Sequence, residues 1–530
     1  MSKTSSASPP PAPAPGMGAS FRIAFTSWRT GAVTLLAFPS GLPLGVVLIT
    51  IPYWLQQEGI DIKTIGLVSA AQIPYAFKFL WSPLIDRFAP RWGRKRAWII
   101  LGQLLVSATL AAFAAMSGSP SVAVVALLTV FLSFASATQD IAYDAYTVEV
   151  LRPTERNLAV GAKTALARAA AFMGRILNTV GPAFGWARAF AVLAVSFLPF
   201  MAVTARAPEP DAPPAPPRTL REAVWDPFVG FFRQARALEI AAFLFFYKFA
   251  DNLAVSLISP FLGQLGYSPV DVGLAQGLIS LVAGIAGTFV GGMLCNVMGT
   301  GRALWIFGFL QAASNLGYVV VAKAGVVPWV MYAATAVEAG TSGLGTGAFG
   351  ILLVRLTQRR FSATQYALFS SIFALGRTFA GPPAGAVVDA VGWTTFFYFT
   401  VPMAIPGLLL LNRFVPWGAR EIPEALDEDA APPTHGTPVG LRGLVARACV
   451  GAATGTLVAY ALNVLLLALK RARGEAPFDV LAAASALLHP TRAVDWVDLV
   501  GPPVAGVVIG LAVAAFVAAR RGVAPAARPT

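Results

Sequence analysis

Charge is scarce in this sequence. Only 12% of its 530 residues are Asp, Glu, Lys or Arg, about half the share of a typical soluble domain. That excludes an ordinary solvated globular surface for most of the chain. Cysteine and histidine are scarcer still, with two of each: Cys295, Cys449, His435 and His489. Both cysteines lie in apolar segments and no Cys/His spacing is present, so neither a zinc site nor a disulfide framework can be read. Neither histidine stands beside a paired-ligand or nucleophile motif. The chain therefore reads as a non-enzyme without metal or organic cofactor.

What the sequence has in quantity is apolar length. It is 56% hydrophobic, in stretches near the ~20 residues that cross a bilayer as a helix. Twelve such stretches form two sets of six, at 31–55, 62–83, 97–117, 121–144, 159–181 and 186–204, then 240–264, 270–297, 303–322, 327–354, 363–386 and 393–412. Two further runs, 443–469 and 498–519, bring the expected total to fourteen. The reading is an all-α polytopic membrane protein.

The net charge of +14 does not point to nucleic acid, because the basic residues sit in short connections between apolar stretches rather than on a soluble face. Alternate connections hold Arg22 and Arg29; Arg87, Arg91, Arg94, Lys95 and Arg96; Arg152 and Arg156; and Arg355, Arg359 and Arg360. By the positive-inside rule the N-terminus is cytoplasmic. Lys470, Arg471 and Arg473 run against that orientation, so the topology of the last pair stays open.

The expected organisation follows. Residues 1–20 form a Pro/Ala/Ser-rich disordered tail, 21–204 a six-helix bundle, and 205–238 a cytoplasmic linker whose second part lies on the membrane as an amphipathic helix. Residues 239–414 form a second bundle, 415–440 a polar linker, 441–520 two additional spanning helices, and 521–530 a tail. The bundles look like one unit repeated: Gly174-Arg175 and Gly181-Pro182-x-x-Gly185 in the fifth span answer Gly376-Arg377 and Gly381-Pro382-x-x-Gly385 in the eleventh. Carriers built from paired repeats bind their substrate at the interface and rock one half against the other.

The segment after span 2, from Asp86-Arg87 through Gly93-Arg94-Lys95-Arg96, has an acidic residue, a turn glycine and a basic run. It resembles a signature of the major facilitator superfamily. Asp86 can face a helix N-terminus or pair with a cation, latching the cytoplasmic side; Arg87, Gly93, Arg94, Arg96 and Asp144 are assigned to the same latch. A weaker echo, Gly291-Gly292 to Arg302, follows span 8.

Ionisable residues inside spans mark pathways or pairs. They are Lys78 in span 2, Asp140 and Asp144 in span 4, Arg175 in span 5, Lys248 and Asp251 in span 7, Glu338 in span 10 and Arg377 in span 11. Glu338 stands near the middle of its span with no partner beside it in sequence. It is the first candidate for a proton carrier, followed by Asp140 and Asp251. Lys78, Lys248, Gln139, Asn252 and Tyr75 are candidates for substrate contact. Trp54, at a span end, reads as an interface aromatic.

Several runs carry a closer resemblance: Gly41-Leu-Pro43; Phe77-Lys78-Phe-Leu-Trp81-Ser-Pro83-Leu-Ile-Asp86-Arg87; Ala137-Thr-Gln139-Asp140-Ile-Ala-Tyr143-Asp144; Tyr247-Lys248-Phe-Ala-Asp251; and Phe361-Ser-Ala-Thr-Gln365. Over about 30–415 the chain resembles the AmpG muropeptide permeases, major facilitator carriers of the bacterial inner membrane related to acetyl-CoA transporters. The resemblance implies a major facilitator fold of two six-helix bundles, here with two extra C-terminal helices. It also implies a monomer that imports GlcNAc–1,6-anhydro-MurNAc peptides from periplasm to cytoplasm, with the proton as coupling ion, for cell-wall recycling. Under it Lys78, Gln139, Asp140, Lys248, Asp251 and Glu338 occupy the family's polar cavity positions. A carrier of another bulky anion, a drug exporter and a membrane-embedded transferase stay open as alternatives.

Overall fold

The computed structural model describes residues 22, 26–60, 73–90, 92–118, 121–233, 236–422, 439–472, 478–489 and 493–521. The tail 1–20, Arg91, the first part of the 62–83 span, most of the 415–440 linker with His435, Arg473 and the end of the 521–530 tail lie outside the described residues, as do the side chains of Arg377 and Pro382.

The described chain is helical throughout its spans. In order the helices are α1 (Trp28–Gln57), α2 (Ile73–Phe77), α3 (Ser82–Arg87), α4 (Arg96–Met116), α5 (Val122–Val150), α6 (Pro153–Phe184) and α7 (Trp186–Arg206). After the linker come α8 (Leu220–Arg233), α9 (Ala237–Leu265), α10 (Pro269–Met298), α11 (Thr300–Ala324), α12 (Pro328–Leu356), α13 (Ser362–Thr400) and α14 (Ile405–Phe414). The C-terminal set is α15 (Leu441–Ala472), α16 (Val480–Leu488) and α17 (Ala493–Arg521).

Among the described residues, ten helices are long and apolar enough to cross a membrane. The 32-residue α6 is not among them; Lys163, Arg168 and Arg175 along its middle lower its apolarity. Span 11 and the start of span 12 run through α13, which bends at Gly392 (φ 76°, ψ 167°), and span 12 ends in α14. Helices α5 and α6 extend several residues past their expected ends because Glu149, Glu155 and Arg156 are held inside the protein, all under 10% exposed.

Several helices are interrupted. Lys78 opens a 3₁₀ turn between α2 and α3, and Lys248 sits at a break within α9, at φ −102° and ψ 2°. Wide π-turns lie at Val46–Thr50 in α1 and Leu274–Ile279 in α10. Such irregular backbone is tolerated at membrane depth only where protein or a cavity satisfies it.

The repeat read from the glycines has a packing basis. A Cβ on Gly174 of α6 would come 2.4 Å from the Gly45 carbonyl oxygen of α1, and one on Gly376 of α13 would come 2.7 Å from the Phe245 oxygen of α9. In each half, the fifth helix presses a glycine against the first.

The apolar core divides unevenly. One cluster joins residues of both halves, among them Val148, Val160, Phe243, Leu352 and Phe369, with Ala515 of α17. A second draws only on α1 and α4–α7 (Trp54, Phe113, Phe190, Phe197), and a third only on α9–α13 (Phe261, Tyr318, Phe397). The halves are therefore welded at one end and packed separately at the other. At the joined end Gly161 of α6 meets Gly292 of α10, where a Cβ on Gly292 would come 2.7 Å from the Gly161 Cα. Gly292→Leu is expected to force this contact apart at a cost of about 1–3 kcal/mol, read as a lowered midpoint of thermal unfolding in detergent. An unchanged midpoint would show that the contact contributes nothing.

Two expectations are corrected. Helix α8 does not lie on the membrane by its apolar face: Phe231 packs on Phe369 of α13 at 5.0 Å and Phe232 on Phe516 of α17 at 5.8 Å. Protein covers that face because two helices converge on it. Trp54 is no interface aromatic; it is fully buried beside Phe113, Trp186 and Phe190.

Candidate functional site

Three groups of charge are built into the helices. The first lies among α1, the α2–α3 turn, α5 and α6. The Lys78 ammonium donates to Asp140 at 2.6 Å and lies 3.6 Å from Asp144. Lys163 of α6 donates to Asp144 at 2.6 Å and to Thr147 Oγ1 at 3.1 Å. Ser40 of α1 donates to the other Asp140 oxygen at 2.8 Å. Two lysines and two aspartates alternate, so the group is neutral when all are ionised, the condition under which charges persist at membrane depth. Lys163 also stands 4.4 Å from the Tyr143 ring and 5.4 Å from the Tyr366 ring of α13, reaching the other half. Tyr75 donates to Ser136 at 2.7 Å on the border of this group.

The second group joins α9, α12 and α6. Lys248 donates to Asp251 at 3.0 Å, to the Ser342 carbonyl at 2.8 Å and to the Ser342 hydroxyl at 3.0 Å; that hydroxyl donates to Asp251 at 2.8 Å. Arg168 crosses from α6 to donate to Thr346 Oγ1 at 2.8 Å. Glu338, two turns before Thr346 on α12, is 5% exposed. Among the described residues its carboxylate has no hydrogen-bond donor and no cation within 4 Å, although Asp251, Lys248 and Arg168 act on it at longer range. Asp251 Oδ1, Asn252 Nδ2 and Gln311 Oε1 are buried without a protein partner. Buried polar atoms of this kind call for water or a ligand, so this group has binding capacity unspent on the fold.

The third group is at the joined end. Asp86, fully buried, accepts from the backbone N–H groups of Ala363 (3.1 Å) and Thr364 (2.8 Å) and from the Thr364 hydroxyl (2.8 Å). It thereby caps the N-terminus of α13 with a negative charge, the favourable sign there. Lys95 donates to Asp86 at 2.6 Å. Beside them Ser362 donates to Glu149 of α5 at 2.6 Å, and Arg94 lies 3.9 Å from Glu149 and 4.0 Å from Asp86. Gly93 turns the chain at φ +112°, a region that favours glycine. The Arg96 guanidinium holds Glu209 at 2.5 Å and donates to the Ala207 carbonyl at 2.8 Å.

The linker is strapped across this end. Arg94 donates to the Pro214 carbonyl, Tyr146 to the Pro208 carbonyl at 2.8 Å, and Asp211 pairs with both Arg29 and Arg152. The Arg152 hydrogen bond, with Arg29 beside it, holds the Asp211 carboxyl below the usual carboxylate range. The folded group is thus the stronger acid; its contribution is present at neutral pH and is lost as pH falls through that lowered value.

The sequence-based candidates are therefore sorted differently by the structure. Asp144 belongs to the central Lys78–Asp140–Lys163 group and not to the latch, because the helical turn from Asp140 puts both carboxylates toward the same lysine. Arg87 makes no ion pair among the described residues and rests on the Phe88 ring at 5.6 Å; Lys95 occupies the place beside Asp86 instead. Gln139 packs its Cβ against Gly102 of α4, and both polar atoms of its amide are buried without a protein partner among the described residues. Lys78 and Lys248 are held by aspartates of their own halves. Missed in sequence were Glu149, Lys163 and Arg168, while Lys95 stood out only as part of the basic run. Lys163 and Arg168 were legible as cations inside an apolar stretch; Glu149 lay beyond the expected end of its span.

Buried ion groups at the meeting of two helical halves, with a charged latch at one end, define a multi-pass membrane carrier. The chain belongs to the major facilitator superfamily, whose sequence profile matches residues 33–381. It is 37% identical over 403 residues to the anhydromuropeptide permease of Escherichia coli K12, covering 74% of this chain and 81% of that one. It is 33% identical over 394 residues to a protein of Haemophilus influenzae (72% and 92%), and 28% identical over 403 residues to transporter AmpG 4 of Rickettsia conorii (73% and 96%). Its fold matches that of the proton:xylose symporter XylE bound to 6-bromo-6-deoxy-D-glucose, with a TM-score of 0.56 at 14% identity over 75% of this chain and 98% of that one. The relatives named for a function are permeases and transporters, and the chain is a transporter and not an enzyme.

Proposed function

We propose that this carrier imports GlcNAc–1,6-anhydro-MurNAc peptides across the bacterial inner membrane, from periplasm to cytoplasm, driven by the proton gradient. The observation that carries the substrate is the 37% identity to a permease named for anhydromuropeptides. The second ion group supports it: orphan donors and acceptors on Asp251, Asn252 and Gln311 suit a ligand rich in amides and hydroxyls.

The basic loops support a cytoplasmic N-terminus and latched end. With that end closed by Asp86 and the far end split into two separate cores, the conformation faces the periplasm. The two six-helix halves of 21–204 and 239–414 then rock about the central ion groups, with α15–α17 as an addition outside the alternating unit. The chain works as a monomer in lipid. Glu338 carries the coupling proton, because a buried carboxyl without a donor is costly to keep ionised.

Substrate identity is tested with purified protein in detergent. At a ligand concentration 100 times its Kd, GlcNAc–1,6-anhydro-MurNAc-tripeptide is expected to add about 2.7 kcal/mol of stability, and an unlinked disaccharide or tripeptide far less. Equal stabilisation by acyl-CoA or by drugs would move the assignment to another bulky ligand.

A further inference from the structure

The two halves meet along α6 and α10, which run antiparallel in a fixed register. Gly161 faces Gly292, Arg168 faces Gly284 and Arg175 faces Gly277. Near the latch the contact is backbone on backbone: a Cβ on Gly161 would come 2.8 Å from the Gly292 Cα. Further along, a Cβ on Gly284 would come 3.2 Å from Arg168 Nη1, and one on Gly277 would come 3.5 Å from Arg175 Nη1. The seam thus opens from the width of two glycines to that of an arginine, and each guanidinium has a glycine opposite it.

Arg168 and Arg175 are seven residues apart, on one face of α6 and about 10 Å apart along its axis. Neither has a carboxylate within 4 Å among the described residues. Arg168 uses one hydrogen bond, to Thr346, with Asp251 and Glu338 acting on it only at longer range. Arg175 is exposed, reaches the Gln276 carbonyl at 3.4 Å and rests on the Phe172 ring at 5.5 Å. A guanidinium has five donors in a fork suited to carboxylates, and at membrane depth it is ordinarily paired. The buried lysines differ: Lys78, Lys163 and Lys248 each hold an aspartate of their own half.

We infer that Arg168 and Arg175 form a two-stage carboxylate path along the α6–α10 seam, Arg175 meeting the anionic peptide of the substrate at the open end and Arg168 holding it at the centre. The identity of the ligand rests on the proposed function; the path itself rests on the seam. The wall opposite each arginine is glycine, and a side chain added there would press on the guanidinium and turn it from the substrate.

The test is binding of GlcNAc–1,6-anhydro-MurNAc-tetrapeptide, and of the same compound with its peptide carboxylates amidated, to the full chain, measured both at equilibrium and as an association rate. Arg168→Gln is expected to weaken the free acid at least tenfold and the amide less than twofold. Arg175→Gln is expected to slow association of the free acid several-fold. Equal losses for acid and amide, or no loss for the acid, would overturn the path. If R168Q is lost from the membrane, R168K serves the same comparison, with a smaller loss confined to the acid.

A wild-type protein that binds neither compound removes the muropeptide reading without deciding the path. The path is then read by reaction of R168C, in a C449S background, with a sulfonate-bearing thiol reagent. Reaction from the open end, slowed several-fold on adding R175Q, supports it; absence of reaction, or a rate indifferent to Arg175, contradicts it.

Discussion

Glu338→Gln is expected to abolish gradient-driven accumulation of substrate while leaving exchange of labelled for unlabelled substrate within about tenfold of wild type. The amide has the shape of the protonated acid and cannot release a proton. The groups facing Glu338 are Arg168 from α6, Lys248 and Asp251 from α9 and Tyr318 from α11. With Glu338 ionised, two cations and two anions balance; with it protonated, one positive charge is left over. A substrate carboxylate restores the balance, so proton and anion favour each other's binding, which is the requirement for symport. The variant fixes the proton-loaded charge state, so binding survives while the cycle loses its dependence on the gradient. Measured in proteoliposomes, accumulation that still follows an imposed proton gradient in the variant would remove Glu338 from the coupling.

The second large effect is expected at the latch. Asp86→Asn keeps the shape of the carboxylate and removes its charge, leaving Lys95, which is 2% exposed, with only the Glu149 carboxylate at 3.7 Å and the α13 N-terminus without its anion. Breaking a buried pair from one side costs about 3–5 kcal/mol, and each 1.4 kcal/mol is a tenfold change in an equilibrium. Because the α13 contacts exist only while this end is closed, most of that loss falls on the closed state, and its population should fall by about 100-fold or more. Spin labels at the exposed positions of Trp92, beside Gly93 in the first half, and Trp417, after α14 in the second, would show the latched ends moving apart. Distances and transport rate both equal to wild type would show that Asp86 does not hold the halves together. Arg87→Gln, by contrast, should change neither.

The architecture was legible because membrane helices are written as length: ten of the expected spans reappear as helices apolar enough to cross. The breaks were not legible, since Lys78 and Lys248 look alike in sequence whether a helix runs through them or stops. Asp140 and Asp144 could be placed on one face by their spacing, but not assigned a partner, because Lys163 is 19 residues from Asp144 and on another helix. Glu338 stood out through its isolation. Arg168 could have stood out too, as a cation inside an apolar stretch. Its partner Thr346 is 178 residues away, a contact that no local pattern encodes. Asp86 could be read as a helix cap or an ion-pair partner, but no local pattern selects Lys95 from the basic run as its 2.6 Å neighbour.

The central claim, that this is a proton-driven importer of anhydro-muropeptides, is tested most directly by uptake of the labelled compound into proteoliposomes with and without an inward proton gradient. The account predicts accumulation above the external concentration only with the gradient, lost on adding an uncoupler. Uptake that stops at equilibrium in both cases would contradict the coupling, and no uptake by a well-folded preparation would contradict the substrate.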